Sequence, residues 1–257
     1  MSNVIQQSKP IAIVTGASRK IGIGTAIARA LAKDGVDVFI TFYRPYDERM
    51  VWGSRTKDSD ELIQELQELG VRVDGMELDL SDPAAAMQLF DRVESSLGAP
   101  TILVNNATFS LNDGIENLTA ELLDQHYAVN LRGMALLCKE FVSRFDDEWG
   151  RIINMTSGQG RGPMPNELAY AATKGAVDAF TVSLAKGVAH QNITVNAVDP
   201  GPTDTGWMDE PLREILQSQT PMGRVGLPTD AAKLVRFLAS PEAGWITGQI
   251  IRSTGGF

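Results

Sequence analysis

Short apolar, strand-like runs alternate with helix-patterned stretches from one end of the 257-residue chain to the other. That order leaves few folds open. Strands are expected at 11–14, 36–41, 71–80, 101–105, 151–156, 193–198 and about 249–252. Helical patterns fall between them at 24–33, 59–69, 83–97, about 119–149, from 169 onward, 211–218 and 229–238. In the second of these, Leu62, Ile63, Leu66 and Leu69 share one helix face. Pro83 is placed in a first helical turn, where its missing N–H costs nothing. The long pattern at 119–149 is expected to break near its start. This rhythm requires a mostly parallel, seven-stranded, doubly wound sheet with helices on both faces. No repeat, low-complexity tract or linker divides the chain, so a single α/β domain over 1–257 is expected.

Such sheets take ligands beyond the carboxyl ends of their strands, where the strand order reverses. The first, fourth, fifth and sixth strand ends carry Gly16, Asn105, Ser157 and Asp199-Pro200-Gly201, which should therefore meet in one cleft. The turn Thr15-Gly-Ala-Ser-Arg-Lys-Ile-Gly-Ile-Gly24 follows the first strand. Glycines there let the backbone approach a pyrophosphate, whose charge the following helix N-terminus favours. At the end of the second strand, a carboxylate would bind a ribose 2′-hydroxyl and a cation a 2′-phosphate. The chain offers Thr41-Phe-Tyr-Arg44 there, with no carboxylate until Asp47, and Arg19 and Lys20 in the glycine turn. This pattern predicts NADP(H), because phosphate among cations gains charge-assisted hydrogen bonds.

Tyr170 and Lys174 lie one helical turn apart, and Ser157 stands thirteen residues before Tyr170. A phenol ordinarily ionises near pH ~10. An ammonium beside it is expected to pull that value towards working pH, so that the phenol can give a proton to a carbonyl oxygen or take one from an alcohol. Ser157 would donate a second hydrogen bond to the same oxygen. Tyr-x-x-x-Lys recurs by chance in many chains, so its weight comes from its setting.

Composition closes off other classes. A net charge of −9 argues against a nucleic-acid or anionic-membrane surface. No apolar run reaches the ~18 residues a bilayer span needs. Residues 1–10 are polar, without a signal-peptide core. The single cysteine, Cys138, reads as core packing in a reducing compartment, which implies a cytoplasmic protein. His126 and His190 are isolated, so no metal site is expected.

Together these residues resemble the short-chain dehydrogenase/reductase family over nearly the whole chain. The matching pieces are Thr15-Gly16…Gly22-Ile-Gly24, Asp79-Leu80, Asn105-Asn-Ala107, Asn130, Ser157, Tyr170 and Lys174. Asn196-Ala-Val-Asp-Pro-Gly201, Thr203, Ile246-Thr-Gly-Gln249 and Gly255-Gly256 follow. The resemblance implies a single-domain Rossmann fold and a catalytic set of Asn130, Ser157, Tyr170 and Lys174. Tyr170 would be the acid/base, Lys174 would lower its pKa and hold the nicotinamide ribose, and Ser157 would orient the carbonyl. Asn130 would anchor a water linking Lys174 to solvent. Gly16, Ser18, Arg19, Lys20, Gly22 and Ile23 of the turn, with Tyr43 and Arg44, would hold the cofactor's phosphates and adenosine ribose. Asp79 and Leu80 would flank the adenine, Asn106 and Ala107 line the ribose, and Pro200, Gly201 and Thr203 hold the carboxamide end. Within the family, Pro221-Met-Gly-Arg-Val-Gly-Leu-Pro228 resembles 3-oxoacyl-(acyl-carrier-protein) reductases. Thr108 and Ser253-Thr254 depart from the family pattern, and residues 44–58, with Tyr46, Met50 and Trp52, form a long segment that could cover the adenosine end.

Two features bear on the substrate. An acidic carrier protein calls for basic residues at the mouth of the site, yet the long helix ends in Asp146-Asp-Glu148. A small or coenzyme-A-like ketone is therefore expected. Residues 203–221, with Trp207, Met208, Leu212, Ile215 and Leu216, have the pattern of an apolar lid. The competing readings are a sugar or polyol dehydrogenase working oxidatively and a non-catalytic NADP(H) sensor. The 119–149 and Tyr170 helices resemble the family's dimerising pair, implying a homotetramer.

Overall fold

A computed structural model describes residues 9–55 and 57–257; the polar stretch at 1–8 lies outside them. Seven strands form one sheet in the order β3-β2-β1-β4-β5-β6-β7, and every neighbouring pair is parallel. They are β1 Ile11–Val14, β2 Asp37–Phe42, β3 Val73–Glu77, β4 Ile102–Asn105, β5 Gly150–Met155, β6 Ile193–Asp199 and β7 Ile250–Arg252. The sheet is thus wholly rather than mostly parallel. Helices are α1 Ile23–Lys33, α2 Arg44–Glu48, α3 Asp58–Gln67, α4 Ala85–Ser96, α5 Ala120–Tyr127, α6 Met134–Arg144, α7 Leu168–Val188, α8 Glu210–Gln219 and α9 Pro228–Ala239.

A strand covered on both faces has no polar side to alternate with, which is why β1 reads as an unbroken apolar run. Ala12 and Val14 join a core layer with Ile27, Leu31, Val38, Ile40, Leu66, Val235 and Leu238. Ile13 faces the other way, into a layer with Phe39, Leu89, Phe90, Leu103, Leu137, Phe141, Ile152 and Val195. The chain leaves β1 for β2 on one side and returns to β4 on the other. That reversal opens the crevice beyond Val14 and Asn105.

Local chemistry moves several expected boundaries. α4 begins at Ala85 rather than Pro83, because the Asp82 carboxylate accepts the Ala84 N–H at 2.8 Å and holds a turn ahead of the helix. The long helix is interrupted in its middle by a π-helical turn, Ala128–Gly133, and stops at Arg144, where Phe145 turns extended and stacks on Phe141 at 5.7 Å. Gly133 fits that turn because any Cβ would stand 2.6 Å from the Leu80 carbonyl oxygen. α2 was not legible as a helix: five residues carry too little periodicity to see. Among the described residues, no helix is long and apolar enough to cross a membrane, and no group of three or more His, Cys, Asp or Glu side chains could hold a metal ion.

Candidate active site

The crevice is a cavity of about 1450 Å3 running from the glycine turn to α8. At its floor the turn is locked in place. Asn106 donates its side-chain amide to the carbonyls of Thr15 and Gly16 at 2.8 and 3.0 Å, and the Thr15 hydroxyl accepts the N–H groups of Asn106 and Ala107 at 3.0 Å. Gly16 has φ +73°, and a Cβ there would sit 2.7 Å from Ala107 Cα, so only glycine lets the two loops touch. Gly22 is the N-cap of α1, with no side-chain cap and no acidic residue in the first turn. The first N–H groups of α1 are therefore available for an anion. Gly16, Ser18, Arg19, Gly22, Ile23, Tyr43, Asp79, Leu80, Asn106, Ala107, Pro200, Gly201 and Thr203 all line the cavity, as expected of a dinucleotide cradle.

Three expected cofactor residues do not reach its wall: Lys20, Arg44 and, at the far end, Lys174. Lys20 lies on the outside, 3.7 Å from Glu61. Arg44 also sits beyond the wall, with Nη2 2.6 Å from Glu77 Oε2 and its backbone N–H on the same carboxylate. Asn105, expected in the cleft, instead turns into the core and donates to Asn154 Oδ1 at 2.8 Å. Arg19 lines the cavity but is spent within the protein: it donates to the Thr205 carbonyl at 2.9 Å, pairs with Asp47 at 3.5 Å and lies 4.4 Å over the Trp52 ring.

At the opposite end stand Ser157 and Tyr170. The Ser157 hydroxyl stands beside the Tyr170 phenol, close enough to favour its ionised form. Lys174 is 3% exposed and lies just behind the wall, 5.5 Å from the Tyr170 ring centre, with its ammonium donating to the Met155 carbonyl at 2.8 Å. The electrostatics differ from the expectation. Burial pushes the Tyr170 phenol well above its usual range, and the Ser157 hydroxyl offsets only part of that. Burial also lowers Lys174 to about 8, while Asp178 one turn on works the other way.

Asn130 sits behind the same wall with all four side-chain positions filled. Its oxygen accepts from the Thr108 hydroxyl at 3.1 Å and the Phe109 N–H at 2.7 Å; its amide donates to the Phe109 carbonyl at 2.9 Å and Thr173 at 3.1 Å. Any water here would have to be held by the Asn130 backbone carbonyl. Thr108, the departure from the family pattern, is thus part of this clamp.

Several residues at the site were not singled out from sequence. Asp113, 6% exposed, accepts the N–H groups of Leu168 and Ala169 at 2.5 and 2.8 Å and so caps α7 from a different loop. Tyr46, which the sequence did single out, reaches across to Ser110, exchanging hydrogen bonds of 3.2 and 3.3 Å with its backbone, a partner of which the sequence holds no sign. Arg161 pairs with Asp199 at 3.2 Å and lies 5.4 Å over the Phe257 ring. Long-range pairings of this kind leave no local pattern. Tyr46, Met50 and Trp52 do line the cavity, as the length of their segment suggested. From residues 203–221, Trp207, Leu212 and Leu216 face the cavity, whereas Met208 is buried away from it and Ile215 faces solvent.

A family model described as enoyl-(acyl carrier protein) reductase matches residues 16–257. The chain is 52% identical to an uncharacterized oxidoreductase of Bacillus subtilis, YjdA, over 96% of each chain. The chain belongs to the short-chain dehydrogenase/reductase family. It is also 32% identical to the versicolorin reductase of Emericella nidulans, over 96% of this chain and 94% of that one. Among solved structures, the promiscuous reductase LugOII, which catalyses a keto-reduction in lugdunomycin biosynthesis, superposes with a TM-score of 0.85 at 36% identity over 96% of each chain. A blue fluorescent protein from a metagenomic library, solved in complex with NADPH, gives 0.85 at 31% identity over 96% of this chain and 97% of its own. The protein is therefore a Rossmann-fold oxidoreductase of this family.

Proposed function

We propose that this dehydrogenase/reductase uses NADPH to reduce a ketone to a secondary alcohol, with Tyr170 as general acid. The observation that carries the reading is that Ser157 and Tyr170 line one cavity together with the glycine turn, so a carbonyl oxygen beside a bound dinucleotide could take a proton from the phenol and a hydrogen bond from the serine. The apolar side chains Trp207, Leu212 and Leu216 in the same cavity favour a ketone over a sugar or polyol. The dinucleotide, when bound, supplies the hydride. The glycine turn, the uncapped start of α1 and Asn106-Ala107 would bind and orient it, with Asp79 and Leu80 at the adenine and Pro200, Gly201 and Thr203 at the carboxamide. Ser157 would donate to the substrate oxygen while Tyr170 protonates it. Lys174 would hold the nicotinamide ribose, and proton resupply would pass by the Asn130 backbone.

The walls around Tyr170 support an apolar ketone. Trp207, Leu212, Leu216, Met164, Pro163 and Pro165 line that end, and α8 with the residues before it would act as a lid. A 3-oxoacyl thioester fits, but an acidic carrier protein is poorly matched. Residues 144–148 lead into the amino end of β5 and do not line the cavity, so this mismatch rests on the net charge of −9 rather than on those side chains. The names of the versicolorin and lugdunomycin relatives make polycyclic ketones the first compounds to try. A second reading, NAD(H), is favoured by one observation: the Asp47 carboxylate lines the adenosine end beside Ser18. NADPH and NADH absorbance decay with polycyclic ketones, 3-oxoacyl thioesters and carrier-bound 3-oxoacyl groups decides among these. Turnover of free ketones with NADPH is expected. A carrier-bound group preferred by orders of magnitude in kcat/KM, or faster oxidation of glucose than reduction of any ketone, would refute the proposal.

A further inference from the structure

The segment between β2 and α3 puts one more cation into the cavity than the glycine turn and β2 account for. Arg49 follows α2 directly; it is exposed and lines the adenosine end of the cavity. Each cation that the sequence offered for a 2′-phosphate has a fixed carboxylate: Asp47 for Arg19, Glu61 for Lys20 and Glu77 for Arg44. The Arg49 backbone N–H donates to the Tyr46 carbonyl at 3.1 Å, but its side chain has no hydrogen bond or ion pair to any described residue. Its charge nevertheless acts on both Asp79, expected at the adenine, and Tyr43, expected at the phosphates and adenosine ribose. The segment that carries it is anchored at both sides of the crevice, through Tyr46 to Ser110 and through Asp47 to Arg19 of the glycine turn at 3.5 Å. Arg49 is thus held at the mouth of the adenosine pocket on a fixed support, with its guanidinium uncommitted.

We infer that Arg49, on the inserted α2 segment, reads the cofactor's 2′-phosphate in place of the glycine-turn and β2 cations. This rests on the NADP(H) reading above. A guanidinium offers paired donors that match phosphate oxygens, and the carboxylates Asp47, Glu77 and Asp79 around it would repel a phosphate that had no such partner. Asp47 and Glu77 already have cations of their own, so the local charge that decides the choice is the one Arg49 brings.

The test measures binding of the adenosine half alone. Adenosine 2′,5′-bisphosphate and AMP are titrated calorimetrically into wild type, Arg49→Ala and Arg44→Ala, and NADPH and NADH are titrated by their fluorescence. Losing a hydrogen bond to a charged group weakens affinity on the order of 10–100-fold. Arg49→Ala is expected to lose that factor for the bisphosphate and NADPH, with AMP and NADH within about twofold of wild type by the same reasoning. Circular dichroism should show the variant folded, since the Arg49 side chain has no partner to lose. If wild type fails to prefer the bisphosphate over AMP, the NADP(H) reading falls and this inference with it. If wild type prefers the bisphosphate but Arg49→Ala keeps the preference, or weakens all four ligands alike, the inference alone is overturned. Loss of preference in Arg44→Ala only would assign the phosphate to Arg44 instead.

Discussion

Replacing Asp113 by alanine should cost both stability and catalysis, and the structure sets the size of each. Helix α7 carries Tyr170 and Lys174, yet its own N-cap, Glu167, makes no side-chain capping bond. The capping is done by Asp113, whose two oxygens take the Leu168 and Ala169 N–H groups at 2.5 and 2.8 Å while its backbone N–H donates to Asn166 at 2.8 Å. A hydrogen bond to a charged acceptor contributes about 1.5–3 kcal/mol. Loss of two, with two buried N–H groups left unmet, should destabilise the fold by about 3–5 kcal/mol, a large share of a typical ~5–15 kcal/mol. Asp113→Asn retains one carbonyl acceptor and should lose about half as much. Tyr170 lies one residue past Ala169, and a shift of ~1 Å at a reacting group can lower turnover by about 100-fold. Urea denaturation monitored by circular dichroism, extrapolated to water, gives the stability loss, and steady-state kcat gives the second. Asp113→Ala within about 0.5 kcal/mol of wild type, with unchanged kcat, would refute the claim that this carboxylate fixes the catalytic helix.

Lys174 should make the enzyme trade stability for function. Its folded pKa of about 8 lies below the ordinary lysine value of about 10.4. The unfolded chain therefore keeps this proton over a range where the folded one has lost it, so its contribution to stability should rise from pH ~8 to ~10.4 and be constant below that window. The gap of about two to two and a half units corresponds to roughly 3 kcal/mol held against the fold below pH ~8. Lys174→Met should consequently unfold at equal or higher urea at pH 7 while losing activity; a marked destabilisation would contradict the burial cost. Cys138, fully buried with its thiol pushed up to about 12 by that burial, should not react with a disulfide reagent in the native protein and should react once on unfolding. Rapid native modification would mean that the layer around Asn105 and Met134 opens.

The alternation of strand and helix was legible because each βαβ unit repeats it, and the continuous apolar run of β1 follows from burial on two faces. The ends of those strands marked the site, since the sheet's reversal point places Gly16, Asn106 and Ser157 together whatever the loops do. Charge partners were not legible. Arg44 stands where a phosphate-binding cation belongs, but Glu77, thirty-three residues on, claims it across neighbouring strands. The π turn escaped notice for the same reason: Asn130 leaves the regular helix to bond Phe109 and Thr173, neither of which is near it in sequence. Proximity of Tyr170 and Lys174 was correctly placed on one helix, but the direction of the ammonium, towards the Met155 carbonyl, depends on a strand that spacing cannot see.

The central claim is that the Tyr170 phenol delivers the proton that completes ketone reduction. It is tested most directly by single-turnover NADPH oxidation in wild type and Tyr170→Phe, with NADPH affinity measured on the same samples. A drop of at least about 100-fold in the chemical step, with cofactor affinity little changed, is expected. Turnover in Tyr170→Phe within a few-fold of wild type would contradict the account.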